Sequence, residues 1–160
     1  MAWWTSWFSG GKPSIEDASL RDAPRLAQLH GASFHRGWGE AEFESMIAER
    51  NTLVHRLRQR RNIIGFAVSR MGADEAEILS IAIDPAHRGR GLSRDLLFTH
   101  LGHLAGHGVR RIFLEVEENN APARRLYERA GFAVVGRRER YYRGADGEQL
   151  NALLMRRDLS

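Results

Sequence analysis

The chain has 160 residues, 24 Lys and Arg against 20 Asp and Glu for a formal net charge of +4, and no cysteine. That length makes one ordinary domain, able to bury roughly two-thirds of the surface its unfolded chain exposes, and the missing cysteines exclude a disulfide framework, a thiolate zinc site and a Cys nucleophile while fitting a reducing cytosol. No apolar run approaches the length of a membrane span, and the arginine excess favours acidic partners such as phosphates, acidic peptides or a ribonucleoprotein surface, although a merely solvated basic surface explains any single arginine as well.

In chain order, Trp3, Trp4, Trp7 and Phe8 make one stripe of a short helix before the breaker Gly10-Gly11-Lys12-Pro13. This stretch, residues 1–13, is too short and lacks the basic start of a secretory signal; it reads as a Trp-rich extension ahead of a single domain over 14–160. Ser14–Asp17 suits a short strand, and Ser19 with Asp22 makes a capping-box-like start for a helix to about Phe34, with Pro24 early. Glu40–Glu49 suits a second helix. Three strands in antiparallel order follow, Thr52–Arg58, Asn62–Met71 and Ala76–Ile83, parted by turn signals around Arg61-Asn62 and Gly72-Ala73-Asp74.

A helix over about Leu92–Ala105 comes next, with Leu97, Leu101 and Leu104 on its core side. Strand Arg110–Val116, helix Ala121–Ala130, strand Phe132–Arg140, a turn at Gly144-Ala145-Asp146-Gly147 and strand Glu148–Arg156 complete the chain. Hairpin strands followed by β-α-β crossovers predict an α/β fold: a central mixed sheet of about six to seven strands flanked by four helices, with helices on both faces.

Chemistry concentrates at two strand-to-helix junctions. Glu115 near a strand end and Tyr127 on the next helix can aim a carboxylate and a phenol at one crevice. Upstream, Asp84-Pro85-Ala86-His87-Arg88-Gly89-Arg90-Gly91-Leu92-Ser93-Arg94 leads from a buried strand into a helix. A dinucleotide fingerprint wants its glycines directly after the strand and a third one where Arg94 stands, and a phosphate-binding P-loop wants Gly-Lys-Ser/Thr. What remains is Arg88-x-x-Gly91-x-Ser93, whose small residues let several backbone N–H groups converge while the helix from Leu92 adds its positive end, a fit for a pyrophosphate. Tight packing alone also explains such a turn.

That loop resembles the acyl-CoA pyrophosphate loop of the GNAT acetyltransferases, with Ser93 where Gly or Ala is usual. Ile81-Ala82-Ile83-Asp84-Pro85, Leu114-Glu115-Val116, Asn120, Leu126-Tyr127-Glu128, Ala130-Gly131-Phe132, Tyr141-Tyr142 and Asp146-Gly147 extend the resemblance to the bacterial ribosomal-protein N-α-acetyltransferases of the RimI type. It is nearly continuous from about Ala76 onward, weaker over Ser14–Met71, and does not cover the Trp-rich start.

The resemblance implies a GNAT fold whose strand Leu79–Ile83 splays from Arg110–Val116. It further implies acetyl-CoA as cosubstrate, the backbone of Ile81, Ala82 and Ile83 against the pantetheine arm, and Arg88, Gly89, Arg90, Gly91, Leu92, Ser93 and Arg94 at the pyrophosphate. Asn120 is a further cofactor contact, or simply a helix cap. Glu115 matches the family's general base and Tyr127 its general acid; the competing readings are a solvated strand end and a core aromatic. Phe34 and Trp38, in Ser33-Phe34-His35-Arg36-Gly37-Trp38, and Tyr141, in Arg140-Tyr141-Tyr142-Arg143, match the walls of the peptide groove, while Phe34 and Trp38 also suit a core.

The expected acceptor is the N-terminal α-amine of a protein, in this family the N-terminal Ala of a small-subunit ribosomal protein, in a cytoplasmic enzyme. At pH 7 an α-amine is neutral in about one molecule in seven and a lysine in about one in two thousand, so a modest base suffices for the former. Alternatives are transfer to lysine side chains or small amines, and a noncatalytic acyl-CoA or RNA-binding module. His100, His103 and His107 share a helical face at metal-like spacing, but that face is expected beside the leucine stripe and next to water, with no carboxylate at ligand spacing, so no metal is expected. Arg137-Arg138-Glu139-Arg140 mixes into aromatics as an RNA surface does, yet a solvated strand edge explains it, and no direct nucleic-acid contact is expected.

Overall fold

The computed structural model describes residues 12–34, 36–143 and 147–159, with the backbone alone for 140–143. The aromatic stripe of Trp3, Trp4, Trp7 and Phe8, residue His35, the side chain of Tyr141 and most of the expected turn at 144–147 lie outside the described residues.

Seven strands form one sheet: β1 (Ser14–Asp17), β2 (Thr52–Gln59), β3 (Asn62–Gly72), β4 (Glu75–Ile83), β5 (Arg111–Glu117), β6 (Ala133–Arg143) and β7 (Gln149–Asp158). Their order is β1-β2-β3-β4-β5-β7-β6, antiparallel throughout except for the parallel β4–β5 pair. That parallel pair needs a crossover, which α3 (Leu92–Gly106) supplies, after α1 (Ala23–Ser33) and α2 (Glu40–Ala48) and before α4 (Ala121–Arg129). The mixed sheet, its strand count and the four helices agree with the sequence reading.

Strand alternation decides which face each helix covers. Val54, Phe66, Val68 and Ala82 point to one face, where they pack with Leu26, Leu29, Phe43 and Met46 of α1 and α2. Ile112, Leu114 and Val116 of β5 point to the other, with Leu97, Leu101 and Leu104 of α3 and Tyr127 of α4. The capping box is present, the Ser19 N–H donating to Asp22 Oδ2 at 2.8 Å, but it opens a short 3-10 turn at Leu20–Asp22 ahead of α1. The hairpin turns fall on Arg60 and Ala73, non-glycine residues at φ 56° and 55°.

One expectation is corrected. His100 does not face water: it is fully buried between α3 and the sheet, one link in a chain of polar groups. Its Nδ1 lies 2.8 Å from Nδ1 of buried His55, its Nε2 2.6 Å from the buried Ser69 hydroxyl, and His55 Nε2 lies 3.4 Å from Asp17 Oδ1. A single pattern satisfies every link with both rings neutral: His55 Nε2–H donates to Asp17, His100 Nδ1–H to His55, and Ser69 O–H to His100. Burial pushes His55 down to about 4 and His100 to about 3, so neutrality is their state near pH 7. Among the described residues no group of three or more His, Cys, Asp or Glu is arranged to hold a metal ion.

Candidate active site

The central event is a parting of β4 and β5. They pair only from Glu75–Arg111 to Ile78–Leu114. Past that point β4 runs against β3 alone, through Ala67–Ile81, Phe66–Ala82 and Gly65–Ile83, while β5 runs against β7 alone, through Glu115–Leu154, Val116–Leu153 and Glu117–Ala152. The parting starts at a bulge: Ser69 faces Ile78 and Val68 faces Ser80, leaving Leu79 as the extra residue that bends β4. Backbone groups of Leu79–Ile83 that point away from β3 therefore face an open slot. The alternation turns the main chain of Ile81 and Ile83 toward it, as an extended amide-bearing ligand requires, while the Ala82 carbonyl, expected at the slot, is turned to β3 beside Gly65.

A residue the sequence reading missed holds this stretch in place. Gly65 pairs with Ile83, and a Cβ there would lie 2.8 Å from Ile83 Cδ1 and 2.9 Å from the Ala82 carbonyl oxygen. Only glycine lets β3 and β4 approach so closely at the slot. A glycine inside an otherwise apolar strand was the available signal.

From Ile83 the chain turns through a 3-10 turn at Pro85–His87 into the glycine loop. Asp84 organises the turn: its Oδ1 accepts from the Ala86 N–H at 3.1 Å and its Oδ2 from Arg25 of α1 at 3.0 Å. The Ala86 amide first, then Arg25, holds its carboxyl below the usual carboxylate range. Gly89 and Gly91 have φ of 81° and 75°, where a side chain is strained, so the glycines are conformationally required. Gly91 caps α3 without a side chain, and the N–H groups of Gly91, Leu92, Ser93 and Arg94 have no partner one turn earlier in the helix. Arg90 and Arg94 are exposed beside them. Arg88 is turned back instead, its Nε donating to the Ile83 carbonyl at 3.3 Å and its terminal nitrogen to Ser33 Oγ of α1 at 3.1 Å.

Glu115 and Tyr127 lie on opposite sides of β5. Glu115 follows the last residue of β5 that pairs with β4, its carboxylate largely buried at 15% exposure and 3.3 Å from Nε of Arg138, which reaches it from β6. Tyr127 is buried in the cluster that holds Leu114 and Val116, its ring edge-on to Phe132 at 5.9 Å. Asn120 Oδ1 accepts from the Ala123 N–H at 3.2 Å, so its capping role is realised. The preceding residue pair is anchored by Glu118, whose carboxylate accepts from Asn151 at 2.8 Å and Arg137 at 3.2 Å; these bonds, Asn151 first, hold it below its usual range.

Phe34 and Trp38 stand together at the end of α1, on the face that carries Ala82. Both stack on His30, at centroid distances of 4.4 Å and 4.5 Å, and Phe34 stays 40% exposed. The backbone of Tyr141 belongs to β6.

A parallel pair that opens beside a glycine-capped helix start defines the acetyltransferase class, and comparison with known proteins agrees. The profile of the "Acetyltransferase (GNAT) family" matches residues 23–132, and the chain belongs to that family. It is 39% identical to the N-alpha-acetyltransferase RimI of Mycobacterium tuberculosis over 145 residues, covering 86% of this chain and 87% of that one. It is 35% identical to the ribosomal protein bS18 alanine N-acetyltransferase of Haemophilus ducreyi, covering 88% and 97%. The crystal structure of the corresponding Escherichia coli enzyme superposes with a TM-score of 0.87 at 31% identity, covering 93% and 95%. The chain is thus an acetyltransferase of a family that uses acetyl-CoA.

Proposed function

We propose that this chain transfers an acetyl group from acetyl-CoA to the free N-terminal α-amine of a protein in the cytoplasm, with a ribosomal protein as the acceptor and its N-terminal Ala as the amine. The parting of β4 and β5 past Ile78 and Leu114 carries the reading, because it provides one slot with bare main chain on one wall and Glu115 on the other. The Haemophilus ducreyi and Escherichia coli relatives are named as alanine N-acetyltransferases of ribosomal protein bS18, and the Mycobacterium tuberculosis one as an N-alpha-acetyltransferase, which supports the acceptor class.

The residues fit the cosubstrate. The turn Gly89–Arg94 offers four helix-start N–H groups and two exposed guanidiniums to a diphosphate, and the main-chain groups of Ile81–Ile83 that turn away from β3 offer amide partners to a pantetheine arm. When bound, acetyl-CoA supplies a thioester carbonyl activated toward amines. Glu115 takes the proton from the acceptor ammonium, directly or through a water, so that nitrogen presents its lone pair to the carbonyl carbon. A backbone N–H of β4 that points away from β3 stabilises the oxygen as charge gathers on it. Tyr127 donates its phenolic proton to the departing sulfur as the C–S bond breaks; phenol and thiol pKa values lie close enough for that transfer. Asn120 adds a polar contact for the cosubstrate, and Phe34, Trp38 and Tyr141 hold the peptide. No metal enters.

The test is release of free thiol from acetyl-CoA with two peptides, one beginning in Ala, the other N-blocked with an internal Lys. Release with the free N-terminus alone is expected. Release with the lysine peptide alone would replace the acceptor assignment, and no release with any amine despite tight coenzyme A binding would replace the enzymatic one.

A further inference from the structure

His30 is an unusual residue for the inward face of a helix: it is 3% exposed, stacked between Phe34 and Trp38, and edge-on to Phe43 at 5.9 Å. Its Nδ1 accepts the main-chain N–H of Trp38 at 3.0 Å, eight residues further along. That bond turns the chain back over α1, where Gly37 approaches so closely that a Cβ would meet the Gly31 Cα at 3.2 Å. Behind the ring stands Phe66, centroid to centroid 6.0 Å, and Phe66 pairs with Ala82 in the slot. One side chain therefore joins the α1–α2 segment to β3, the neighbour of the strand that borders the slot.

We propose that His30 is a positioning residue for the acceptor: clamped between Phe34 and Trp38 and accepting the Trp38 amide, it sets the aromatic wall against which the incoming peptide N-terminus lies. The inference rests on the reading of Phe34 and Trp38 as acceptor-binding. Neutral imidazole is the right group for the task. It accepts one hydrogen bond in the ring plane while both ring faces stay available for stacking, which neither an amide nor a phenyl does. Burial, pushing His30 down to about 4, keeps Nδ1 an acceptor at neutral pH. The contacts of His30 itself run to Trp38, Phe34, Phe43 and Phe66 rather than to the cofactor loop, so its loss falls mainly on the peptide and less on acetyl-CoA.

Steady-state kinetics of the full chain, with acetyl-CoA and a peptide beginning in Ala, test this. His30→Phe keeps a ring between its neighbours but leaves the part-buried Trp38 N–H without its acceptor. The peptide KM is expected to rise about tenfold while the acetyl-CoA KM stays within about twofold. Phe34→Ala also raises the peptide KM, and in His30→Phe/Phe34→Ala the two effects are less than multiplicative, since both act on one wall. If His30→Phe fails to fold, His30→Asn, which keeps an acceptor and removes the ring, carries the same comparison. Unchanged peptide KM in the folded variant, an equal rise in both KM values, or fully multiplicative effects would overturn the inference while leaving the transferase reading intact. A wild-type chain inactive on every free α-amine would instead strike that reading, and the inference with it.

Discussion

Acid should destabilise this protein over a pH range in which most proteins change little. His30 and His55 are each pushed from 6.5 to about 4, chiefly by burial, and His100 lies in the same direction. Because the folded pKa values are depressed, the unfolded chain binds the extra protons between pH 6.5 and 4, so stability falls as pH falls through that window and levels off below it. Linkage gives a loss of about 2 kcal/mol for each such histidine between pH 7 and 5. His30 and His55 together supply about 4 kcal/mol, a large share of the 5–15 kcal/mol typical of a domain. Carboxylates held low, such as Asp84 and Glu118, stabilise above the unfolded carboxylate pKa and are lost mainly below pH 5, which leaves the interval to the histidines. Urea unfolding followed by far-UV circular dichroism at pH 7, 6 and 5 measures the slope. His30→Phe should flatten it by about 2 kcal/mol over the interval. A wild-type loss under about 1 kcal/mol, or the same slope in the variant, would refute the buried-neutral account.

Glu115→Gln should lower kcat about a hundredfold or more, most severely on the acid side of the pH profile, with circular dichroism unchanged; a wild-type profile would remove its role as base. Tyr127→Phe keeps the ring packed near Phe132, so thermal stability and acetyl-CoA affinity should hold while turnover drops about a hundredfold, read by stopped thiol assays. Gly91→Ala meets no atom within 4 Å yet forces a side chain to φ 75°, for a cost of about 1 kcal/mol, a melting shift of about 2–4 °C and a raised acetyl-CoA KM. Gly65→Ala differs in kind, since its methyl runs into the Ala82 carbonyl: stability should fall by about 1–3 kcal/mol and acetyl-CoA binding should weaken as β4 is displaced. An unaltered coenzyme A affinity in Gly65→Ala, measured by calorimetry, would show that β4 does not border the cofactor.

Periodicity and turn signals in the sequence located the strands and helices to within a few residues, because elements such as β5 and α3 each bury one face, while β3, buried on both faces over Ile64–Ser69, was marked by its apolar run between turns. It also held the position of His100, which sits three after Leu97 and four before Leu104, squarely on the buried stripe; its polarity argued it outward, and the distant partners His55 and Ser69 were what reversed the balance. The bulge at Leu79 was not legible, since Ile78-Leu79-Ser80-Ile81-Ala82-Ile83 is apolar almost throughout and a slipped alternation leaves no mark in it. The ties that orient the site were equally silent. Arg25 meets Asp84 from 59 residues away and Asn151 meets Glu118 from 33, distances over which local pattern carries no information.

A sheet that opens in its middle is unstable unless something takes up the backbone bonds it abandons, and here the two walls are kept apart by different means. On the β4 side the bulge and Gly65 fix the strand against β3 so that it cannot swing back toward β5. On the β5 side Glu115 is drawn toward Arg138, and Glu118 is tied to Asn151 and Arg137, so that strand belongs to the β6–β7 hairpin. Water or an extended ligand with its own amides must fill the space between. On the proposed reading the helices divide the work accordingly: the start of α3 is the place for the cofactor's diphosphate, and the aromatic rings that His30 holds at the end of α1 are the place for the acceptor. Arg88 is the one side chain of the glycine loop that crosses between them, bonding β4 at Ile83 and α1 at Ser33. With the Arg25–Asp84 pair, it fixes the start of the loop against α1 from two directions, so the turn out of β4 is held by α1 as well as by the sheet.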